Sequence, residues 1–244
     1  MREVLDAAAV RRWCRLAADA LGRTRRDIDA LNVFPVPDGD TGTNLHLTVL
    51  AAVEALDELP DAADVAAAWA ALANGALLGA RGNSGIILSQ VFRGLADVLG
   101  AGEPRPDGAA LAKALAHAAA LARAAVEHPV EGTILSVLDA ASEPAGAGRS
   151  LAAAALAAAR RARGALERTT GQLAVLASNG VVDAGGAGLC VVLDALAAAV
   201  GGRPSHRYAV PPKTVAAPTE TGGHEPASHE PASHEPDRPD ALGP

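Results

Sequence analysis

Two aspartates separated by one glycine carry the clearest chemical signal in this chain of 244 residues. Asp38 and Asp40 lie within Asn32–Asn44, a segment that also holds two prolines and two glycines. Residues i and i+2 of an extended segment project to the same side, so the two carboxylates can share one cation or bridge two. A helix predicted to begin near Thr41 to Thr43 would place N–H groups and a positive dipole end beside them. Hard oxygen ligands next to a helix N-terminus are typical of a Mg²⁺–phosphate site.

This segment has two other interpretations. Aspartate and asparagine are ordinary helix caps and turn formers, so a structural role stays open. An EF-hand would use Asp38, Asp40 and Asn44 as its first, third and seventh loop residues. It would then have Thr43 in place of the required glycine and Val49 in place of the bidentate glutamate, so calcium is disfavoured.

The composition predicts an all-α protein. Half of the residues are hydrophobic but only 2% are aromatic, so alanine, leucine and valine must form the core. Alanine is the best helix former and lets helices approach closely. The net charge of −7 argues against nucleic acid as the main partner. Cys14 and Cys190 are predicted to be buried thiols, and with no signal peptide or membrane span recognised we expect a cytoplasmic protein.

Apolar spacing of helical period predicts about eight helices, whose short connections favour antiparallel neighbours. The predicted bounds of the first three helices are approximately 4–31, 43–58 and 61–78. The fourth helix follows a glycine loop at 79–85 and ends near residue 100. The others are predicted at 107–127, 132–141, 150–168 and 186–200, with a short piece at 172–177. This helical domain is assigned to residues 1–202. The remainder, 203–244, contains a repeated His-Glu-Pro-Ala-Ser pentapeptide and is predicted to be a disordered tail because it has few apolar residues.

Three further glycine-bearing segments precede predicted helices. Gly79–Gly85 contains Asn83 and Ser84, but it has neither the Gly-Lys-Ser/Thr of a Walker A loop nor the second glycine of a nucleophile elbow. Glu131–Thr133 is a weak capping signal, and Val182–Gly188 lacks the strand and spacing of a dinucleotide fingerprint. Helix capping and close helix packing remain open for all three segments. The chain has only two lysines, neither near these loops, so phosphoryl transfer here would depend on metal ions, backbone amides and Arg81.

Four segments in this order resemble the nucleotide-binding L subunit (DhaL type) of the dihydroxyacetone kinase family, over about residues 1–205. They are Leu31–Asn44, Gly79–Gln90, Glu131–Leu135 and Gly180–Gly188. The resemblance is strongest to the N-terminal kinase domain of bacterial fatty-acid kinases. It implies an antiparallel barrel of eight helices that binds ATP or ADP at one end, with two Mg²⁺ ions between carboxylates and phosphates.

The resemblance also implies the site residues. Asp38 and Asp40 would be the catalytic metal ligands, and Asn32 would stand in for a third aspartate that dihydroxyacetone kinase subunits carry upstream. The nucleotide would be bound by Thr41, Gly42, Thr43, Asn44, Asn83, Ser84, Gly85, Thr133, Asp183, Ala184 and Gly185.

The leading hypothesis is a kinase domain that transfers the γ-phosphoryl of ATP to a fatty-acid carboxylate or a dihydroxyacetone-type hydroxyl. Fatty-acid kinases of this type continue through a middle domain and a partner-docking domain, whereas this chain ends in the repeat tail. We therefore expect a separate fatty-acid-binding or dihydroxyacetone-binding subunit to present the acceptor, and a homodimer is a possible assembly. The alternatives are a non-catalytic nucleotide-binding adaptor and a helical interaction protein with a vestigial site.

Overall fold

The computed structural model describes residues 5–101, 106–143, 150–201 and 210–211. Across these ranges the chain is helical, without a strand, which confirms the predicted all-α class. The helices are α1 (Ala7–Asp29), α2 (Thr41–Asp57), α3 (Val65–Leu78), α4 (Gly82–Leu99), α5 (Gly108–Ala124), α6 (Ile134–Ser142), α7 (Leu151–Gln172), α8 (Ala174–Asn179) and α9 (Ala184–Gly201).

Eight of these helices close into a ring. Each helix from α1 to α7 packs against the next, and α9 packs against both α7 and α1. The short α8 packs against α7 and is not a member of the ring. The predicted eight-helix barrel is therefore confirmed, with α8 as the short additional piece.

Side chains from the preceding residue fix several helix starts. Asp64 accepts a hydrogen bond from the N–H of Ala67 at 2.7 Å, and Asp107 accepts from those of Ala109 and Ala110 at 3.0 and 2.9 Å. Such caps satisfy N–H groups that have no partner within the helix. Because Asp64 is the residue that caps α3, this helix begins at Val65 and not at the predicted residue 61.

Arginines of α1 bind the C-terminal ends of two neighbouring helices. Arg11 donates to the carbonyl of Pro60 at 3.0 Å, just beyond α2, and Arg12 donates to the carbonyl of Ala199 at 2.8 Å. Carbonyls at a helix C-terminus lack partners within the helix, and a cation there also interacts well with the dipole. These contacts hold α1 between α2 and α9.

The core is built mainly of alanine and leucine, as the composition predicts. Its largest side chains form one aromatic cluster, in which the Trp13 ring lies 5.5 Å from Phe92 and 5.8 Å from Trp69 between ring centroids. The indole N–H of Trp13 donates to the carbonyl of Val192 at 3.0 Å. Cys14 is a buried free thiol as predicted, and burial raises its pKa to about 12.

Helix α9 passes the length and hydropathy criteria for a membrane span, the one described helix that does so. It packs against α1, α2, α6 and α7, and most of its surface is buried in the bundle. A core helix of this kind meets the same criteria, so they carry little weight here.

Most of the predicted tail lies outside the described residues. Val210 and Pro211 are the described part of it, and the half-buried Val210 packs against the hydrophobic core. The domain boundary at residue 202 stays a prediction.

Candidate functional site

One end of the ring holds a cleft of about 680 Å³, which is within the usual range for small-molecule sites. Four helices begin at this cleft: α2, α4, α6 and α9 each contribute lining residues from the first turn or the residue before it. Helix N-termini present N–H groups and a positive dipole end, so their convergence suits an anionic ligand. No lysine or arginine is among the described residues that line the cleft.

A hydrogen-bond network around Asn32 shapes the acidic loop. The Asn32 amide nitrogen donates to the carbonyl of Val36 at 3.1 Å and to Oδ1 of Asp38. Its amide oxygen accepts from the hydroxyl of Thr41 at 2.9 Å. The buried Asn32 thus ties Asp38 to the start of α2, while the Asp38 side chain stays exposed.

Asp40 occupies the N-cap position of α2, but its side chain makes no capping hydrogen bond. Asp29, at the end of α1, takes that role. Its two carboxylate oxygens accept from the N–H of Thr43 at 3.0 Å and from the Thr43 hydroxyl at 2.8 Å. The Asp40 carboxylate is therefore kept out of the helix cap and lines the cleft instead.

The donor set of the loop fits Mg²⁺ with a phosphate ligand. The described residues hold no cluster of three or more His, Cys, Asp or Glu able to bind a metal by themselves. Mg²⁺ commonly takes one or two carboxylates and completes its shell with phosphate oxygens and water. Asp38 and Asp40 provide that pair. The Asn32 oxygen already accepts one hydrogen bond, which leaves it one lone pair for a metal.

The start of α4 is pressed against α2. Gly82 has a φ of +57°, and a β-carbon there would lie 2.5 Å from the Asn44 side-chain nitrogen. The N–H of Arg81 donates to the Thr48 hydroxyl at 3.2 Å. This packing brings Asn83 and Ser84 to the cleft beside Asn44.

The segment before α6 is fixed by its own polar contacts. Gly132 has a φ of +79°, and its N–H donates to the Ser136 hydroxyl at 2.9 Å. Arg123 of α5 pairs with Glu131 at 3.2 Å and also with Asp139 of α6. The hydrogen bonds from Ser136 and Arg123 lower the pKa of Glu131, with Ser136 the larger cause. Thr133 is thereby held at the cleft as the cap of α6.

Asp183 closes the back of the cleft and joins three helices. Its carboxylate accepts from the N–H of Gly186 at 2.6 Å and from that of Ile134, and its own N–H donates to the Thr169 hydroxyl at 3.1 Å. The residue is only 5% exposed. Burial raises the pKa of this carboxyl from 3.8 to about 6, and the two backbone N–H groups oppose that rise.

Ten of the fourteen sequence-predicted site residues line this one cleft: Asn32, Asp38, Asp40, Thr41, Asn44, Asn83, Ser84, Thr133, Asp183 and Gly185. The other four do not line it. Gly42 faces α1, where a β-carbon would lie 2.3 Å from the Arg25 carbonyl oxygen. Thr43 bonds Asp29, Gly85 packs on Thr48, and Ala184 is buried. Their assignment to nucleotide binding stays a prediction.

Sequence reasoning missed the apolar wall of the cleft and the loop between α5 and α6. The segment Phe34–Val36 adjoins the acidic pair, and its position could have signalled a role. The loop residues carry no motif that would have identified them. The additional lining residues are Phe34, Pro35, Val36, Gly82, Ile86, Ile87, Ala125, Val126, Glu127, His128, Val130, Ile134 and Leu135.

Comparison with known proteins gives consistent results. Residues 35–198 match the DAK2 domain family. Protein YloV of Bacillus subtilis is 42% identical over 140 residues, which cover 57% of this chain and 25% of that protein. An uncharacterized protein of Staphylococcus aureus strain USA300 is 42% identical over 115 residues, covering 47% of this chain and 21% of that protein. The chain thus spans a quarter or less of the length of these relatives.

A solved structure shares the fold. The native crystal structure of the dihydroxyacetone kinase of C. freundii aligns with 78% of this chain and 34% of that protein, with a TM-score of 0.57 and 22% identity. The fold likeness agrees with the ring of helices described above, and the family match covers all four cleft-forming helix starts together with Asp38 and Asp40. This chain belongs to the DAK2 domain family.

Proposed function

We propose that this chain is a Mg²⁺- and ATP-dependent phosphotransferase domain whose acceptor is presented by a partner protein. One observation carries the proposal. Four helix N-termini meet at a cleft that is also lined by the exposed Asp38 and by Asp40, whose side chain makes no capping hydrogen bond, and no described lysine or arginine lines this cleft. Bound Mg²⁺ would supply the positive charge that phosphate oxygens require, which fits phosphoryl transfer by positioning and electrostatics.

The chain's own residues divide between two tasks. Asp38 and Asp40 would hold the metal, with Asn32 fixing the position of Asp38 and Asp29 leaving Asp40 available. Backbone N–H groups at the start of α4, near Asn83, would bind phosphate oxygens. The apolar wall suits the base of a nucleotide because the transfer of an aromatic ring from water to an apolar surface is favourable.

The acceptor is proposed to enter at the exposed mouth. Val36 and Ile86 line the cleft there and are 58% and 46% exposed. A fatty-acid carboxylate is already ionised and needs no general base, whereas a dihydroxyacetone-type hydroxyl would need one. Among the described titratable side chains that line the cleft besides Asp38 and Asp40, Asp183 is engaged as a cap, and Glu127 and His128 are exposed. This favours a carboxylate acceptor.

The first test is calorimetric titration with Mg²⁺ and a non-hydrolysable ATP analogue. Asp38→Ala and Asp40→Ala are each expected to weaken binding by about a hundredfold or more, since each removes a metal-bound charge. Asp61→Ala, which removes an exposed carboxylate from the loop between α2 and α3, is the matched control and should bind as wild type does. Equal affinity in all four proteins would refute the metal assignment.

A second candidate is an adaptor that binds the nucleotide without hydrolysing or transferring its phosphate. The lack of an assigned general base among the described residues of the cleft supports it. Radiolabel transfer from γ-labelled ATP separates the two. The kinase proposal requires transfer to an acceptor on a loaded subunit, whereas the adaptor binds the nucleotide and transfers nothing.

A further inference from the structure

A second groove lies outside the ring between α3 and α4 and has a volume of about 580 Å³. We propose that this groove docks an amphipathic helix of the acceptor-carrying protein, with a carboxylate of that helix placed against Arg93. The inference rests on the proposed function and assigns the surface that would bring the acceptor to the cleft.

The α3 side of the groove has the spacing of a helix-packing face. Ala66, Ala70, Ala73 and Leu77 recur at i, i+4, i+7 and i+11, which places them along one side of the helix. The first three present only methyl groups, so another helix can approach closely. The stretch rises about 16 Å at 1.5 Å per residue, enough for three turns of a partner helix.

The α4 side supplies the charge. Gln90, Arg93 and Asp97 recur at i, i+3 and i+7 and line the same groove. Asp97 already bonds His117 of α5 at 3.2 Å. Arg93 is exposed and forms no salt bridge with any described residue. The charge that complements this guanidinium is a carboxylate on the partner.

The groove leads into the cleft. Ile86 lies one turn before Gln90 on α4, and it lines the cleft itself. Leu77, in the last turn of α3, lines the groove and is 47% exposed, and Ile86, in the first turns of α4, lines the cleft and is 46% exposed. Exposed apolar side chains gathered in one place mark an interaction surface.

A helix is the occupant that these features favour. Apolar residues at helical spacing, a floor of small residues and a single cation match the helix-in-groove mode of recognition. A partner bound there would have direct access to the mouth of the cleft at Ile86. Phosphoryl transfer requires the acceptor to be held close to the phosphate, so docking beside the cleft has a direct use.

The test uses the full chain and two purified probes, a fatty-acid-binding protein loaded with fatty acid and a dihydroxyacetone-binding subunit loaded with its ligand. Ala70→Trp fills the groove from an exposed position, and Arg93→Glu reverses its charge. Leu156→Trp and Arg160→Glu are matched controls on exposed positions of α7, which does not pack against α3 or α4. Affinity for each probe and for Mg²⁺ with the ATP analogue is measured by calorimetry, and transfer by radiolabel.

We expect Ala70→Trp and Arg93→Glu to weaken binding of the cognate probe by about tenfold or more, with nucleotide affinity unchanged. The two controls should bind as wild type does. Wild-type affinity in both groove variants would overturn the proposal, as would failure of both probes to bind wild type. If the wild-type chain self-associates and the groove variants do not, the groove binds a second copy of this chain instead. If deleting residues 212–244 from the wild-type chain raises its affinity for a probe, the groove is occupied by this chain's own tail instead. Loss of nucleotide binding in the Asp38 and Asp40 variants is scored separately, so the proposed function is judged on its own result.

Discussion

Replacing Asp29 by alanine is expected to destabilise the start of α2 and to weaken nucleotide binding together. Asp29 accepts from both the N–H and the hydroxyl of Thr43, at 3.0 and 2.8 Å, while Asp40 at the N-cap position makes no capping bond. Without Asp29, the N–H of Thr43 lacks a partner. The Asp40 carboxylate is the nearest residue of N-cap type along the chain and would be drawn toward it.

The magnitudes follow from these contacts. Loss of a capping acceptor costs about 0.5–2 kcal/mol, and 1 kcal/mol shifts the melting temperature of a domain of this size by about 2–4 °C. We therefore expect Tm to fall by about 1–8 °C. If Asp40 gains a capping bond worth about 1 kcal/mol, metal binding must compete with it, and affinity for Mg²⁺ with the ATP analogue should fall by about fivefold.

Thermal unfolding and calorimetric titration of the same protein samples provide both readings. Asp29→Asn keeps an oxygen for the Thr43 N–H and should recover most of the stability and affinity. Asp27→Ala removes an exposed carboxylate two residues earlier in α1 and controls for net charge. A lower Tm with unchanged affinity in Asp29→Ala would refute the competition with Asp40. An unchanged Tm together with an unchanged affinity would refute the cap itself.

Three further predictions concern the fold around the site. The raised pKa of Asp183 means that the folded state takes up a proton at higher pH than the unfolded state, so its contribution to stability is full below about pH 4 and is lost as pH rises through about 6. Denaturant unfolding measures the free energy of unfolding of wild type and of Asp183→Asn at each pH. The value for wild type should rise relative to the variant by at most about 3 kcal/mol between pH 7.5 and pH 4, and a difference that does not change with pH would contradict this. Gly42→Ala should destabilise the fold by about 1–3 kcal/mol because the new β-carbon would meet the Arg25 carbonyl. Gly164→Ala in α7 is the control and should be neutral or stabilising. Equal effects of the two substitutions in urea unfolding would disprove the close contact. Deleting residues 212–244 should leave Tm within about 2 °C. Deleting 203–244 also removes the half-buried Val210, which packs against the core, and should lower Tm further; differential scanning calorimetry measures both changes.

The helices and the acidic loop were predictable because their causes are local. Apolar spacing of helical period predicted the ring members, and polar residues such as Asp107 and Ser150 cap the helices that follow them directly. The pairing of Asp38 with Asp40 also follows from adjacent residues, through the alternation of an extended backbone. Predicted helix bounds differed by a few residues, and the start of α3 differed because Asp64 is the capping residue that is used.

Longer-range contacts decided the rest. Asp29 caps α2 through Thr43, which is 14 residues further along the chain. That contact leaves the Asp40 carboxylate free of the cap and available to a metal. The helix starts at Thr41, Gly82, Ile134 and Ala184 meet at one cleft because the ring closes.

Side-chain direction is also a tertiary property. Gly42 and Thr43 stand in the acidic motif yet face α1, because the packing of α1 on α2 sets the rotation of the helix. The exposure of Leu78 depends equally on which neighbours pack nearby. Residue type and spacing determined by themselves that this chain is helical and carries a paired-carboxylate loop. Which side of each helix meets the ligand depends on the packing of distant helices, and no local pattern encodes that rotation.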